Sequence, residues 1–466
     1  MLREWDGKEL DVKLNVLKLT VGQGLPGFMR LVPRTYEGAP AAVISEEQAL
    51  RRCVLACMLW EDEFYESGVT IAERIRTLVP KVEAAKVAAL AVEARTKMKL
   101  RHVPLLLVRE MARLPTHRVL VAETLVQVIQ RADELAEFLA IYWAEGKVPL
   151  SGQVKKGLAA AFTKFDESAL AKYGGNKHDG ANAVRLRDVL FLCHAKPVDA
   201  AQAELWKRLI AGELATPDTW EVALSGGGVS KRENWERLLL ERKLGALALL
   251  RNLRNMQEAG VGEALVLTAL DAMRTDRVLP FRFLAAARYA PQWEEGLERA
   301  MYRSVAGAEK LPGRTVLLVD VSGSMVAPLS RKSQMLRTDA AYGLAVLVRE
   351  VSEKVVVYTF SDGAMRIAPR RGFALRDAME SSLRHGGTNL GAALQFVEGE
   401  AVREPYDRIV VITDEQSADR VPAPTGRGYM VNVASAKNGV GYGLWTHIDG
   451  WSEAVIEYIR ELESAT

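Results

Sequence analysis

Oxygen-bearing side chains occur at three places in the last third of the chain. Two groups directly follow short apolar runs, in the stretches Asp320-Val321-Ser322-Gly323-Ser324 and Thr413-Asp414-Glu415. A third, Gly386-Gly387-Thr388-Asn389, precedes a predicted helix. Carboxylate and hydroxyl oxygens are the ligands that hard divalent cations such as Mg²⁺ prefer. The predicted metal ligands are Asp320, Ser322, Ser324, Thr388 and Asp414.

Only two of these five ligands carry a charge. A bound divalent ion would therefore keep a net positive charge and could attract an acidic side chain or a phosphate at its open position. The alternative is that Asp-x-Ser-x-Ser is an ordinary turn, because that motif alone is only modestly specific. The two strand-end aspartates and the Gly-Gly-Thr loop together favour the metal site.

The elements that position these residues are predicted from alternating patterns. Four apolar, β-rich runs cover 315–319, 355–360, 408–412 and 429–433, with helical patterns between them and a last helix at about 452–461. Alternation of strands and helices is typical of a parallel, doubly wound α/β sheet. In such sheets ligands bind at the carboxyl ends of the strands, where the three polar groups lie.

Residues 45–303 have the pattern of successive amphipathic helices. Ser45-Glu46-Glu47-Gln48 fits a capping box at the start of the first helix, and Pro80 and Pro104 suit first-turn positions. Later helices are expected at 79–97, 104–113, 118–130 and 134–143. Short breaks between helices of this length favour an α-solenoid of helix pairs, and a large irregular helical domain is the alternative.

Composition limits the classes of protein. The chain has 466 residues and a net charge of only +3, so any nucleic-acid site must be a local patch. Three cysteines, Cys53, Cys57 and Cys193, indicate buried thiols and no disulfide framework. The first residues lack the apolar core of a signal peptide, and no apolar run is long enough to span a membrane. We therefore expect a cytoplasmic protein that does not contact membranes.

The best local candidate for RNA binding is the window 153–196. Phosphates would bind its excess of basic residues, and Phe162, Phe165 and Tyr173 are candidates for stacking on bases. A solvated basic face with buried aromatic residues is the alternative, and His194 also suits an ordinary helix histidine. The candidate RNA-binding residues are Lys155, Lys156, Lys164, Lys172, Arg185, Arg187 and His194.

The metal loops resemble the metal-ion-dependent adhesion site (MIDAS) of von Willebrand factor A domains. Further stretches carry a second resemblance, namely 50–53, 60–65, 100–105, 235–239, 250–253, 279–282 and 413–417. Together they resemble the Ro autoantigen (TROVE domain) family, and the chain is similar to a bacterial Ro homologue. The pairing of such a metal domain with a helical array is more specific than any single motif.

The resemblance implies a multidomain fold and RNA partners. It implies HEAT-like helical repeats, expected to close into a ring, over 1–310, with a divergent start at 1–44, and a von Willebrand factor A domain over 311–466. It implies small noncoding Y-like RNA on a basic outer surface, and single-stranded 3′ ends of misfolded RNA in a central hole. Polynucleotide phosphorylase or another RNA-processing enzyme is a further partner suggested by bacterial relatives, and a monomer is expected.

One position departs from the family pattern. Animal relatives often carry Trp-Ser-His just before the matching helix, and that histidine contacts Y RNA. Here the corresponding stretch is Val184-Arg185-Leu186, which puts that contact in doubt, although Arg185 or Arg187 could supply charge instead.

Three functions remain to be weighed. The favoured one is a non-catalytic, RNA-binding ribonucleoprotein scaffold in RNA quality control. The alternative is a metal-dependent protein-adhesion module that recruits an acidic partner without RNA. A metal hydrolase is disfavoured, because Glu415 is the one candidate base and no second carboxylate cluster, Walker loop or histidine-rich ligand set accompanies it.

Overall fold

The computed structural model describes most of the chain from residue 33 onward. The described residues belong to one compact unit, Pro33–Thr466. Positions 1–32 of the predicted divergent start, and Cys57, lie outside them. Among the described helices, none combines the length and the apolar character needed to cross a membrane. The described ranges are 33–35, 37–41, 43–55, 68–98, 100–174, 184–215, 220–225, 230–275, 278, 280–328, 335–434, 438–450 and 454–464.

Helices make up the described chain as far as residue 305. The predicted capping box is confirmed, since the Ser45 amide donates to Gln48 Oε1 (2.9 Å) and the Gln48 amide donates to Ser45 Oγ (3.2 Å). The helices are α1 (Glu46–Leu55), α2 (Gly68–Leu78), α3 (Ala84–Thr96), α4 (His102–Arg113), α5 (Val121–Val128), α6 (Ala132–Tyr142), α7 (Gly152–Phe162), α8 (Glu167–Gly174), α9 (Leu186–Cys193), α10 (Ala200–Ala211), α11 (Trp220–Ser225), α12 (Lys231–Leu240), α13 (Ala246–Glu258), α14 (Glu263–Ala272), α15 (Pro280–Tyr289) and α16 (Glu294–Val305).

These helices stack as two rows, which confirms the α-solenoid. In one row α3, α5, α7 and α9 pack in succession, and in the other α4 packs on α6 and α6 on α8. Further along, α12, α14 and α16 form one row and α13 packs on α15. Each helix thus buries its apolar face against the next repeat, as in helical-repeat proteins.

Two predicted helices begin later than their patterns indicate. Pro80 lies in a 3₁₀ turn, Val79–Lys81, and Val82 is extended after it, so α3 starts only at Ala84. A second 3₁₀ turn, Arg118–Leu120, precedes α5. Proline fixes the backbone and removes an amide donor, so it starts a helical turn more readily than it continues one.

The last part of the chain forms the predicted doubly wound sheet. Its elements are β1 (Leu311–Asp320), α17 (Arg337–Glu350), β2 (Ser352–Phe360), β3 (Ala364–Arg366), α18 (Gly372–Glu380), α19 (Leu390–Ala401), β4 (Arg408–Thr413), β5 (Arg427–Asn432), β6 (Thr446–Asp449) and α20 (Ala454–Ser464). Strand order is β3-β2-β1-β4-β5-β6, and all pairs except β2–β3 are parallel. Sequence analysis missed β3 and β6, because one is a three-residue edge strand and the other, Thr-His-Ile-Asp, has no apolar run.

The C-terminal end of the helical array packs directly on the α/β domain. Residues of α12–α16 share one apolar core with one face of the sheet and with α17, α18 and α20. Gly343 of α17 lies so close to Phe281 of α15 that an added Cβ would stand 2.8 Å from the Phe281 Cα. Glu298 of α16 accepts a hydrogen bond from the Phe373 amide at 2.9 Å.

The first described helix also docks on the α/β domain. The buried Arg52 guanidinium of α1 forms an ion pair with the buried Glu415 carboxylate, which follows β4. Tyr442 donates a hydrogen bond to the Gln48 carbonyl at 3.2 Å, and Thr35 donates one to the Ser417 carbonyl at 2.8 Å. The helical array therefore begins and ends on the α/β domain, which confirms the closed ring.

We predict that closure depends on Arg52 far more than on its neighbour Arg51. Arg52→Ala would leave the Glu415 carboxylate buried without its main partner, which costs about 3–5 kcal/mol of unfolding free energy. Arg51 pairs with Glu93 where both side chains are about one-third exposed, so Arg51→Ala should cost at most about 1 kcal/mol. Urea denaturation measures both, and equal losses would contradict a closing role for Arg52.

Candidate metal centre and nucleic-acid interface

Two of the three predicted polar groups lie at one edge of the sheet. Strands β1 and β4 are parallel neighbours that end at Asp320 and Thr413. The Thr413 hydroxyl donates to Asp320 Oδ2 at 2.6 Å, and both Asp320 and Asp414 are fully buried. The loops that carry the two predicted carboxylate ligands are therefore held side by side.

The third polar group, the Gly-Gly-Thr loop at 386–389, is hydrogen-bonded to both of these loops. The Gly323 amide donates to the Gly386 carbonyl at 2.8 Å, and the Ala418 amide donates to the Thr388 carbonyl at 2.8 Å. Asp362 Oδ1 accepts a hydrogen bond from the Gly387 amide at 2.7 Å, which fixes the Gly-Gly-Thr loop. Thr388 is buried between the loops that carry Asp320 and Asp414.

Arg337 is a part of this site that sequence analysis missed. Its buried guanidinium, at the start of α17, lies 3.4 Å from the Ser324 carbonyl and 3.9 Å from Asp414 Oδ2. The hydroxyl oxygens of Ser322 and Ser324 are 3.3 Å apart. An arginine outside the ligand motif gives no sequence signal, because only the fold brings α17 to this edge.

The electrostatics of the edge fit a hard cation. Burial, and then repulsion by the Asp414 carboxylate, raise the pKa of Asp320 to about 7. Among the described residues, no group of three or more His, Cys, Asp or Glu side chains could hold a metal ion. A cation here would therefore use the serine and threonine hydroxyls beside the two carboxylates, a donor set that suits Mg²⁺.

The side chain of Glu415 serves ring closure. Its backbone is left-handed, with φ of +62°, and its carboxylate meets Arg52 and lies 2.5 Å from His447 Nε2. Burial would raise the pKa of Glu415, but the charges of Arg52 and His447 outweigh it and lower that pKa. The carboxylate is thus held in ion pairs, which disfavours a role as a catalytic base.

Three of the predicted RNA-binding residues are basic side chains that pair with no acid among the described residues. Lys155 and Lys156 lie on α7 and Arg187 lies on α9, and these two helices pack together. Lys156 and Arg187 are exposed, and Lys155 is half-buried. Their charges are available to a phosphate backbone.

Lys164 is already used within the fold. Its ammonium donates to the Val126 carbonyl at 2.6 Å and to the Ile129 carbonyl, at the end of α5. Burial lowers the pKa of Lys164. This lysine satisfies the free carbonyls of a helix C-terminus, which weakens the case for a direct phosphate contact.

The remaining predicted contacts lie around α8 and α9. Lys172 is exposed on α8, 5.8 Å from the ring centre of Tyr173, and Arg131 lies over the same ring at 5.3 Å. Arg185 precedes α9, and its amide donates to Asp188 Oδ2 at 2.9 Å. His194 caps the C-terminus of α9 in a left-handed conformation and is exposed.

The prediction of base stacking is wrong for two aromatic residues. Phe162 is fully buried and packs edge-on against Trp206, with ring centres 5.4 Å apart. Phe165 is also buried, at 7% exposure.

The expected burial of Cys53 and Cys193 is confirmed.

Family models match a segment in each of the two parts of the chain. The family model of the TROVE domain matches residues 194–306, and that of the von Willebrand factor type A domain matches residues 315–416. No curated protein sequence matches the chain. The crystal structure of the Deinococcus radiodurans Ro (Rsr) protein is similar, with a TM-score of 0.58 and 20% identity over 88% of this chain and 97% of that one.

These findings confirm the resemblance to a bacterial Ro homologue with a von Willebrand factor A domain. At 20% identity the structural likeness shows the fold. The TROVE match begins at His194, so α1–α9 lie before the matched residues.

We predict that ring closure weakens at alkaline pH through His447. Burial lowers the pKa of this imidazole, but Asp449 and Glu415 outweigh burial and raise it to about 9. Because the unfolded pKa is about 6.5, this stabilisation is complete below pH 6.5 and is lost as pH rises through 9. From pH 7 to 9.5 we expect wild type to lose up to about 3 kcal/mol more than His447→Gln.

Urea denaturation at each pH measures this difference. The matched control is His102→Gln, which removes a half-exposed histidine 3.6 Å from Glu137 and should follow the wild-type curve. Parallel pH curves for wild type and His447→Gln would show that the imidazole charge does not support closure.

Proposed function

We propose that this chain, which joins a TROVE domain to a von Willebrand factor type A domain, is a non-catalytic RNA-binding protein of the Ro type. The observation that carries the proposal is the TROVE match to residues 194–306 within a ring of helical repeats. The ring provides a long, continuous surface, which suits an extended partner such as RNA.

Structured RNA binds along α7, α8 and α9 in this proposal. The contacts are made first by Lys155, Lys156 and Arg187, whose charges are not paired with described acids, and by exposed Lys172. Arg185 and His194 flank α9 at its two ends. Phosphate contacts of this kind give affinity that falls steeply with salt.

The RNA partners follow from the family resemblance. Small noncoding Y-like RNA occupies the basic outer surface, and single-stranded 3′ ends of misfolded RNA occupy the central hole. The protein acts as a monomeric, cytoplasmic scaffold in RNA quality control. An RNA-processing enzyme such as polynucleotide phosphorylase is the proposed protein partner.

The sheet edge holds Mg²⁺ or another divalent cation in this account. Its ligands are Asp320, Ser322, Ser324, Thr388 and Asp414, and the loop contacts described above support their proximity. When bound, the ion offers a positive position to an acidic side chain or a phosphate. The pairing of Glu415 with Arg52 and His447 supports a binding role without hydrolysis.

A second candidate function rests on the same edge. A metal-dependent adhesion module that recruits an acidic protein partner, without RNA, would need only the sheet edge and its cation. RNA binding that persists when the metal is lost distinguishes the first proposal from this one.

We predict that reversing four charges weakens RNA binding. The variant carries Lys155→Glu, Lys156→Glu, Lys172→Glu and Arg187→Glu, and it should bind a labelled stem-loop at least about tenfold more weakly at moderate salt, with a shallower salt dependence. Fluorescence anisotropy across a salt series measures both quantities.

The control variant changes net charge equally on other exposed positions. It carries Lys231→Glu, Lys354→Glu, Arg370→Glu and Arg403→Glu, all outside α7–α9. It should lose little affinity. Equal losses in the two variants would mean that overall charge, and no specific face, binds the RNA.

We predict that Asp320→Ala separates metal binding from RNA binding. The substitution removes one of two carboxylates at the edge, so calorimetric titration should detect no Mg²⁺ binding, while stem-loop affinity changes by less than about twofold. Ser304→Ala, which removes a hydroxyl that donates to the Met301 carbonyl at the end of α16, is the control. A folded Asp320→Ala protein that has lost both activities would show that the RNA site includes the metal.

A further inference from the structure

A cavity between α13 and α15 is not used by either site described above. Its volume is about 650 Å³, within the range of about 300–1,000 Å³ that is typical of small-ligand sites. One helix contributes every third or fourth residue from Leu247 to Glu258, and the other contributes Arg282 to Tyr289 at the same spacing. The facing sides of two packed helices thus form most of the cavity, and Met335, which precedes α17, completes its lining.

Two arginines in this cavity have no acidic partner among the described residues. Among the described residues, neither Arg251 nor Arg282 forms a hydrogen bond or an ion pair. Arg282 lies only over the ring of the adjacent Phe281, 4.7 Å from its centre. The third arginine, Arg254, is paired with Glu258 at 2.9 Å.

The guanidinium groups of Arg251 and Arg282 act on each other. Partial burial, and then repulsion by Arg251, lower the pKa of Arg282. Holding two like charges together without a counter-ion is unfavourable, so an anion between them would relieve the repulsion. Guanidinium groups bind phosphate oxygens in a bidentate manner, which makes phosphate the anion best suited to the pair.

The rest of the cavity suits a flat, partly apolar group beside that phosphate. Tyr289 supplies a half-buried aromatic ring, and Leu247, Ala285 and Ala286 supply apolar walls. Asn255 donates its amide to Asn252 at 2.8 Å, which leaves its carbonyl oxygen for a base. Aromatic stacking together with arginine contacts is the usual recognition of an unpaired nucleotide.

We propose that the α13–α15 cavity binds a nucleoside monophosphate, with its phosphate between Arg251 and Arg282 and its base against Tyr289. The nucleotide is either free or the phosphorylated end of a strand. This site is separate from the α7–α9 face and goes beyond the proposed function, because it does not require binding of structured RNA.

Calorimetric titration of the full chain tests the proposal with adenosine 5′-monophosphate, adenosine and inorganic phosphate. Adenosine monophosphate should bind at least about tenfold more tightly than adenosine, because the arginine pair contributes only to phosphate binding. If 5′-phosphorylated tetraadenylate also binds, the natural ligand is the phosphorylated end of a strand. If only adenosine monophosphate binds, the natural ligand is a free nucleotide.

Substitutions test whether adenosine monophosphate binds in the α13–α15 cavity. The double variant Arg251→Gln, Arg282→Gln should lose at least about tenfold in affinity for adenosine monophosphate. Since Arg282 packs on Phe281, the single variant Arg251→Glu, at an exposed position without described partners, gives a second measurement that should show the same loss. Arg232→Gln, at an exposed arginine paired with Glu236 on α12, should bind as wild type does.

Two results would overturn the proposal. They are failure of both adenosine monophosphate and the phosphorylated tetranucleotide to bind, and unchanged affinity for adenosine monophosphate in Arg251→Glu. The four-charge variant of α7–α9 should keep its affinity for adenosine monophosphate, so failure here is distinguishable from failure of the proposed RNA face.

Discussion

The buried pair of Arg52 and Glu415 is the contact on which the architecture depends most. It joins residues 363 positions apart and connects the first described helix to the loop that follows β4. Both charges are removed from water, which carries a desolvation cost. The contacts of His447 with Glu415 and with Asp449 complete the network and offset that cost. The left-handed backbone at Glu415 directs this side chain to α1, while the preceding Asp414 stays in the predicted metal site.

This arrangement assigns different tasks to neighbouring surfaces. The sheet edge gathers oxygen donors, and the residue next to them closes the ring, so the two tasks share one loop without sharing a side chain. On the α7–α9 face, Lys155, Lys156 and Arg187 pair with no acid among the residues that the structure describes. The α13–α15 cavity adds a smaller site with two close guanidinium groups. These three proposed sites, each with its own chemistry, support the proposal of a scaffold.

Sequence patterns predicted those features that depend on local periodicity and on strand ends. The loops of Asp320 and Asp414 could be placed together because parallel strands end at the same edge of a sheet. Arg337 and the Arg52–Glu415 pair could not, since they depend on how distant helices pack on that edge. Strand β6 was missed because Thr446–Asp449 contributes polar side chains, including His447 and Asp449, to a buried network. Phe162 and Phe165 look like stacking residues beside lysines, but Phe162 lies on the buried face of α7 and Phe165 is buried in the turn that follows it.

Binding of two labelled RNAs across a salt series with Mg²⁺ tests the central claim most directly. One RNA is a stem-loop, and the other is a stem with a single-stranded 3′ tail. The account predicts tight binding of both, a steep fall in affinity with salt, and a preference for the tailed RNA. Absence of binding to either RNA by folded protein would contradict an RNA scaffold and would leave the metal-dependent adhesion module as the better account.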